Sequence, residues 1–422
     1  MSAQHALWHP FADMGAVDSD RMVITRGEGS YVWDEAGRRY FDATASLWYA
    51  NFGHGRPEIT EAVSRQLGAL DSWNLFGYNA NRPAIELADR VAALAPEPGS
   101  KVFFGSGGGD VIDTAVKLAR AYFVQTGRPE KVHVIGRAQG YHGTHGFGTA
   151  VGGIPANAAG VGPQPPEFSH VPYDDAAALE AEILRVGAAR VAAFFCEPVI
   201  GAGGVLLPPE GYLEEVAAIC RRHEVLFVAD CVIAAWGRLG TWFGIDRWPV
   251  KPDLITTAKG ITGGTVPLGA LVVAPEVAAP FFTGKPGAPI FRHGPTYAGH
   301  PVACAAGLAT LDIYEREGLI PRGRELEKPL ADAVSGVSGH ALVAEVRAGV
   351  GFLAAVELKA EIVDADPGAP VKLQRACRDE GVIVRNLGRG VAVSPPLVAA
   401  EPELDLLAAA LPKALDRLAA QV

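Results

Sequence analysis

Basic charge is in short supply in this 422-residue chain: 37 Lys and Arg stand against 47 Asp and Glu, a formal net charge of −10. That balance argues against a nucleic-acid-binding protein, which carries a basic domain or stripe. Cysteine is scarce as well. Cys196, Cys220, Cys231, Cys304 and Cys377 are odd in number and include no C-x-x-C pair. Neither a disulfide framework nor a zinc knuckle is therefore expected, no metal site is assigned, and a reducing compartment fits. No stretch reaches about 18 uninterrupted apolar residues, and Met1–Pro10 has no basic region leading into an apolar one. The expectation is a cytoplasmic protein with no membrane partner.

What is present is apolar surface and glycine. Hydrophobic residues make up 49% and charged residues 20%, enough for a large core, and the length predicts about two or three domains. From Lys101 to Ala274, short runs rich in Val, Ile and Phe alternate with stretches of helical period, the pattern of a mainly parallel sheet covered by helices. The fold class is α/β. Strands are predicted at Lys101–Phe104, Val132–Gly136, Val191–Glu197, Leu226–Asp230, Leu254–Thr257 and Ala270–Val273. Helices are predicted at Asp110–Phe123, Ala176–Arg185 and Gly211–His223. The flanks differ. Tyr31–Tyr40 alternates about an Asp34–Gly37 turn as a hairpin does, and strand-like Gly351–Leu358 and Val382–Val384 follow Ala-rich helices. A smaller α+β unit built from both chain ends is expected, with 1–58 and 305–422 contributing to it and 59–304 forming the large domain. Pro155–Pro172 reads as a Pro/Gly-rich loop long enough to be functional or mobile.

Four features of the large domain carry chemistry. Gly105-Ser106-Gly107-Gly108-Gly109-Asp110 joins a predicted strand to a predicted helix, so its backbone N–H groups and the helix N-terminus suit a phosphate. The spacing matches neither G-x-x-x-x-G-K-[ST] nor a clean G-x-G-x-x-G, which weakens an ATPase or NAD-dehydrogenase reading, and a tight turn capped by Asp110 is the plain alternative. Tyr141, in Tyr141-His142-Gly143, offers a face for stacking; a rim aromatic is its bland counterpart. His142 and His145 lack the partners a metal needs. Asp230 ends an apolar strand and Lys259 follows another, where either alone is as well explained by a structural ion pair. Together, a phosphate cup, a stacking aromatic, a carboxylate and a lysine are what pyridoxal 5′-phosphate requires.

The pattern resembles the class III aminotransferases, the omega-transaminase group of fold type I pyridoxal phosphate enzymes. The likeness runs from Trp8-His9-Pro10-Phe11 to Val393-Ser394-Pro395-Pro396-Leu397 and is most specific at Glu197–Val205, Asp230–Gly240, Pro252–Gly260 and Thr296–Pro301. The resemblance makes Lys259 the Schiff-base lysine that also moves the substrate proton, and Asp230 the partner of the pyridinium nitrogen. It puts Tyr141 on the ring, Val232 on the opposite face, Gly108, Gly109 and His142 among the cofactor contacts, and Thr296 at the phosphate of a neighbouring subunit in a homodimer. Trp48 and Tyr49 match an aromatic substrate wall, and Arg385 matches a mobile arginine that pairs a substrate carboxylate. The implied reaction moves an amino group from an amine or omega-amino acid to a keto acid such as pyruvate. Ala202 stands where ornithine- and aminobutyrate-type relatives have glutamate, which disfavours those substrates. Aminomutase, decarboxylase or racemase activity is the alternative on the same scaffold, and a non-catalytic phosphate-ligand-binding protein is the alternative from another class.

Several positions depart from the family pattern. Gly107-Gly108-Gly109-Asp110 replaces the usual Ser-Gly-Ser-Glu and so lacks hydroxyls for the phosphate. Cys231 replaces a glutamate, and Ala234-Ala235-Trp236-Gly237-Arg238-Leu239-Gly240 replaces Thr-Gly-Phe-Gly-Arg-Thr-Gly. As a residue type in an apolar run, Cys231 is expected to be a core residue and not a nucleophile.

Overall fold

The computed structural model describes residues 6–421; the extreme ends of the two terminal segments, 1–5 and 422, lie outside them. After a short helix, Val17–Asp20, come strands β1 (Ile24–Glu28), β2 (Tyr31–Asp34) and β3 (Arg39–Asp42). The β2–β3 pair is the antiparallel hairpin predicted around Asp34–Gly37, and Asp34 closes it by accepting from Ala36 N, Arg38 N and Tyr40 Oη. Next come β4 (Lys101–Gly105), β5 (His133–Arg137), β6 (Phe168–Val171), β7 (Val191–Cys196), β8 (Leu226–Asp230), β9 (Leu254–Thr257) and β10 (Gly269–Val273). These form a seven-stranded sheet in the order β4-β10-β9-β8-β7-β5-β6. The last strands are β11 (Val343–Arg347), β12 (Ala354–Leu358), β13 (Val382–Ile383), β14 (Arg385–Asn386) and β15 (Gly390–Val393).

The central strands β7, β8 and β9 are buried along their whole length, which is why they read as continuous apolar runs. Alternate side chains serve two cores: Phe194, Phe227 and Ile255 face one, while Phe195, Val228, Leu254 and Leu271 face the other. The second core is covered by the helix Gly108–Gln125, which contributes Val111, Ile112, Ala115, Leu118, Ala119 and Phe123. The strand β10 runs antiparallel to both its neighbours. It reaches the sheet through a short turn after Lys259 and no crossover helix, and only a crossover returns a chain in the parallel sense.

Expectation and structure part at residues 155–172, where the predicted loop carries the helix Pro155–Ala158 and the edge strand β6, parallel to β5. No Pro or Gly falls between Glu167 and Val171, which leaves Phe168-Ser169-His170-Val171 free to pair.

The two chain ends meet: β13 pairs in parallel with β3, and Val382 lies opposite Phe41. A buried guanidinium joins them to the large sheet. Arg238 donates to Phe352 O at 2.8 Å, Pro395 O at 2.6 Å and Asn51 Oδ1 at 2.7 Å, and Asn51 Nδ2 donates to Trp236 O at 2.9 Å. Burial pushes the Arg238 guanidinium down to about 10.

Candidate active site

The parallel strands end along one edge of the sheet, where doubly wound proteins hold their ligands. At this edge lie the loop after β4, the Tyr141 turn after β5, Glu197 after β7, Asp230 at the end of β8 and Lys259 after β9. They line a cavity of about 370 Å³, together with Tyr49, Ser106–Gly109, His142, Val232 and Ile233.

Gly107 caps the helix Gly108–Gln125, so the backbone N–H groups of the first turn open on the cavity. Asp110 Oδ2 accepts from Ser106 N at 2.8 Å, closing the turn behind them. The loop is thus both a capped turn and a wall of the cavity. Gly108 fits against Val232, whose Cγ1 lies 3.1 Å from where a Cβ at 108 would stand.

Asp230 is buried and fixed by three donors. Its Oδ2 is 2.7 Å from His142 Nδ1, while Oδ1 accepts from Val232 N at 3.0 Å and Thr256 Oγ1 at 3.1 Å. This satisfies a carboxylate that burial alone would penalise. His142 therefore sits beside Asp230 as its hydrogen-bond partner while also lining the cavity.

Lys259 adopts φ 47°, a left-handed backbone unusual for lysine, where the chain turns out of β9. Burial depresses its ammonium, Arg385 adds to this, and Asp230 and Glu197 oppose it. Room for the turn comes from Gly263 and Gly264, both at positive φ; a Cβ at 264 would stand 2.2 Å from the Tyr49 ring. Tyr49 thereby reaches the cavity. Its neighbour Trp48, at φ 62°, is buried and stops short of it, with its ring 3.3 Å from a Cβ built at Gly201.

Glu197 is the residue that motif reading quoted without giving it a role. Buried at the cavity wall, it accepts from Tyr141 N at 2.9 Å through Oε1 and from Gly201 N at 2.9 Å through Oε2. Burial raises its carboxyl, with Asp230 adding to the shift and His142 opposing it. It thus anchors the turn that carries Tyr141. The signal was available: a charged residue ending an otherwise apolar strand requires partners.

Arg385, on β14, is half-buried and makes no ion pair among the described residues, so the surface salt bridge that would explain it is absent. Burial lowers its guanidinium, and Tyr141 opposes this. Thr296 is exposed and lies outside the cavity of its own chain.

The altered segment after Asp230 is well accommodated. Trp236 is fully buried, donates from Nε1 to Thr257 Oγ1 at 2.6 Å and stacks on Tyr314. Cys231 is buried and its thiol is pushed well up by that burial, as a core residue should be. Among the described residues, no cluster of His, Cys, Asp or Glu is arranged to hold a metal ion, and no helix is long and apolar enough to cross a membrane.

Residues 14–415 match the family model for aminotransferase class-III. The chain belongs to the class III aminotransferases. It is 38% identical over 446 residues to a putrescine–pyruvate aminotransferase of Pseudomonas aeruginosa, covering 100% of this chain and 96% of that one. It is 37% identical over 435 residues to a beta-alanine–pyruvate aminotransferase of the same organism, covering 98% and 96%. Among solved structures it is similar to an amine transaminase from an uncultivated Pseudomonas species with pyridoxal phosphate bound, at a TM-score of 0.93 and 34% identity, covering 99% and 100%. The fold type I architecture expected from the motifs is thus borne out, and pyridoxal 5′-phosphate is the cofactor. The donor set fits it: inward N–H groups at Gly108 and Gly109, a carboxylate already fixed at Asp230, and a lysine whose amine is held toward its neutral form.

Proposed function

We propose that the protein works as a homodimer, moving the amino group of an amine or omega-amino acid to a keto acid such as pyruvate. The observation that carries this reading is the placement of Lys259 and Asp230 on one cavity walled by the Gly107–Gly109 loop. Pyridoxal phosphate supplies an electrophilic carbon for the amino group and a ring that accepts electrons when the substrate proton leaves. This chain's residues do the rest. Lys259 anchors the cofactor and its Nζ moves that proton; the low-lying ammonium favours the neutral amine needed for both tasks. Asp230 holds a proton on the ring nitrogen, Tyr141 and Val232 cover the two ring faces, and the Gly108 and Gly109 N–H groups hold the phosphate. Arg385 meets the carboxylate of the keto acid. Ala202 leaves no glutamate there for ornithine- or aminobutyrate-type substrates.

The dimer reading rests on an exposed apolar patch. Trp73, Phe76 and Tyr78 are exposed, as are Ile290 and Tyr297, and Phe76 lies 3.6 Å from a Cβ built at Gly294, so the two segments are adjacent. A patch of this kind marks a partner surface, and Thr296 sits within it, where it would reach a neighbour's phosphate. Light scattering should give twice the chain mass. For the division of the chain, we propose 59–304 as the cofactor domain, with 1–58 and 305–422 as the smaller unit; the pairing of β13 with β3 supports it.

Borohydride reduction of the holoprotein should leave the cofactor's mass on the peptide containing Lys259, and Lys259→Ala should abolish both that adduct and turnover. Formation of alanine from pyruvate and a donor amine distinguishes transfer from aminomutase, decarboxylase or racemase chemistry. A bound chromophore that no amine discharges would instead mark a non-catalytic binding protein.

A further inference from the structure

A single indole brackets Lys259. Thr256 and Thr257, the last two residues of β9, turn their hydroxyls to opposite faces of the sheet. Thr256 Oγ1 donates to Asp230 Oδ1 at 3.1 Å, and Thr257 Oγ1 accepts from Trp236 Nε1 at 2.6 Å. On the far side of the lysine, Gly260 lies against the same indole: a Cβ there would stand 2.8 Å from Trp236 Cβ and 3.0 Å from its Cδ1. Gly260 O accepts from Tyr314 Oη at 2.9 Å, and the Tyr314 ring stacks on Trp236 at an interplanar angle of 17°. The indole is itself held. Trp236 N donates to Trp242 O at 2.7 Å, and Trp236 O accepts from Asn51 Nδ2 at 2.9 Å. Trp236, Thr257 and Tyr314 are fully buried, so bulk water does not compete for these bonds.

We propose that Trp236 is a positioning residue for Lys259 in this chain, its indole N–H fixing the end of β9 so that the lysine keeps the left-handed turn from which it reaches the cavity. The proposal rests on the assignment of that cavity to pyridoxal phosphate. Lys259 at φ 47° holds a backbone conformation that its side chain disfavours, and a residue stays there only where its surroundings over-determine it. Here the constraints stand on both sides, at Thr257 two residues before and at Gly260 one residue after. The phenylalanine that the family pattern has in place of Trp236 supplies a ring but no N–H, so the bond to Thr257 comes with the departure.

The test separates attachment at Lys259 from occupancy of the cavity. Apoprotein is mixed with pyridoxal phosphate, and the rate at which the cofactor becomes linked to the lysine is followed by absorbance. Affinity for pyridoxine phosphate, which carries an alcohol in place of the reactive aldehyde, is measured by calorimetry. Thr257→Val, close in shape, should slow attachment about five-fold, the worth of one neutral hydrogen bond, and leave pyridoxine phosphate affinity unchanged. Thr257→Ser, which keeps the acceptor, should stay within about two-fold of the unaltered protein. Trp236→Phe should slow attachment at least as much as Thr257→Val, and adding Thr257→Val to it should cost less than about two-fold more, because the bond is already gone. An unchanged rate in Thr257→Val, a matching loss of pyridoxine phosphate affinity, or the same further loss on top of Trp236→Phe would overturn the proposal. Failure of the unaltered protein to attach the cofactor at Lys259 would instead overturn the reading of the cavity, so the two failures are distinct.

Discussion

Arg385→Ala tests how one site serves both a charged and an uncharged substrate. In the protein the guanidinium is half-buried, has no ion-pair partner among the described residues, and is poorly enough solvated that burial lowers its pKa. A carboxylate arriving there meets a donor fork with little competition from water or protein. Two hydrogen bonds to charged groups, at about 1.5 kcal/mol each, total about 3 kcal/mol. Loss of that amount lowers kcat/KM for pyruvate or beta-alanine by about 150-fold. A plain arylalkylamine never makes those bonds, and its half-reaction, followed in single turnovers without keto acid, should change less than about 3-fold. The substitution has a second effect with a fixed sign. Burial chiefly depresses the Lys259 ammonium and the Arg385 charge depresses it further, so removing Arg385 raises the lysine pKa. Uptake of pyridoxal phosphate by the apoprotein requires the neutral amine, and the acid limb of its rate profile should therefore move to higher pH. Equal loss for carboxylated and plain amines would refute the carboxylate role. An unmoved acid limb would refute the electrostatic link between Arg385 and Lys259.

Two further substitutions probe the scaffold. Burial raises the Asp253 carboxyl to about 6, while its Oδ2 accepts from Phe227 N at 2.7 Å, a bond that an asparagine oxygen can keep. Below about pH 4 both folded and unfolded chains hold the proton; as pH rises to about 6 only the unfolded chain ionises, so stability falls through that window. Asp253→Asn should accordingly stabilise the protein by about 3 kcal/mol at pH 7 and much less at pH 4, and a gain of equal size at both pH values would refute the assignment. Arg238→Met leaves Phe352 O, Pro395 O and Asn51 Oδ1 without their buried donor; it should cost about 3 kcal/mol and lower the thermal unfolding midpoint by several degrees, whereas an unchanged midpoint would mean that the network contributes nothing to holding the chain ends.

The large sheet was legible in the sequence because β7, β8 and β9 are covered on both faces, and such strands must be apolar at every position. Lys259 and Asp230 were legible for the same reason: each is a charged residue at the end of an apolar run, and a sheet edge is where such a run can release one. The edge strand β6 was not, since an edge needs only a few residues able to pair and Pro-rich flanks hide them. Glu197 was missed for a deeper reason. Its role depends on which loops meet above the sheet edge, and loop encounters leave no period in a single sequence. Glu197 acquires its function from Tyr141 N and Gly201 N, brought to it from two separate turns. Read as a motif, Gly107-Gly108-Gly109 is a damaged phosphate loop. In three dimensions Gly108 packs against Val232 and Gly109 beneath the His145 ring, so the loop is closely covered on both sides. Departures from a family pattern next to a cofactor should thus be judged by what fills the space they leave, a question that side-chain volume and backbone contact answer and residue identity alone does not.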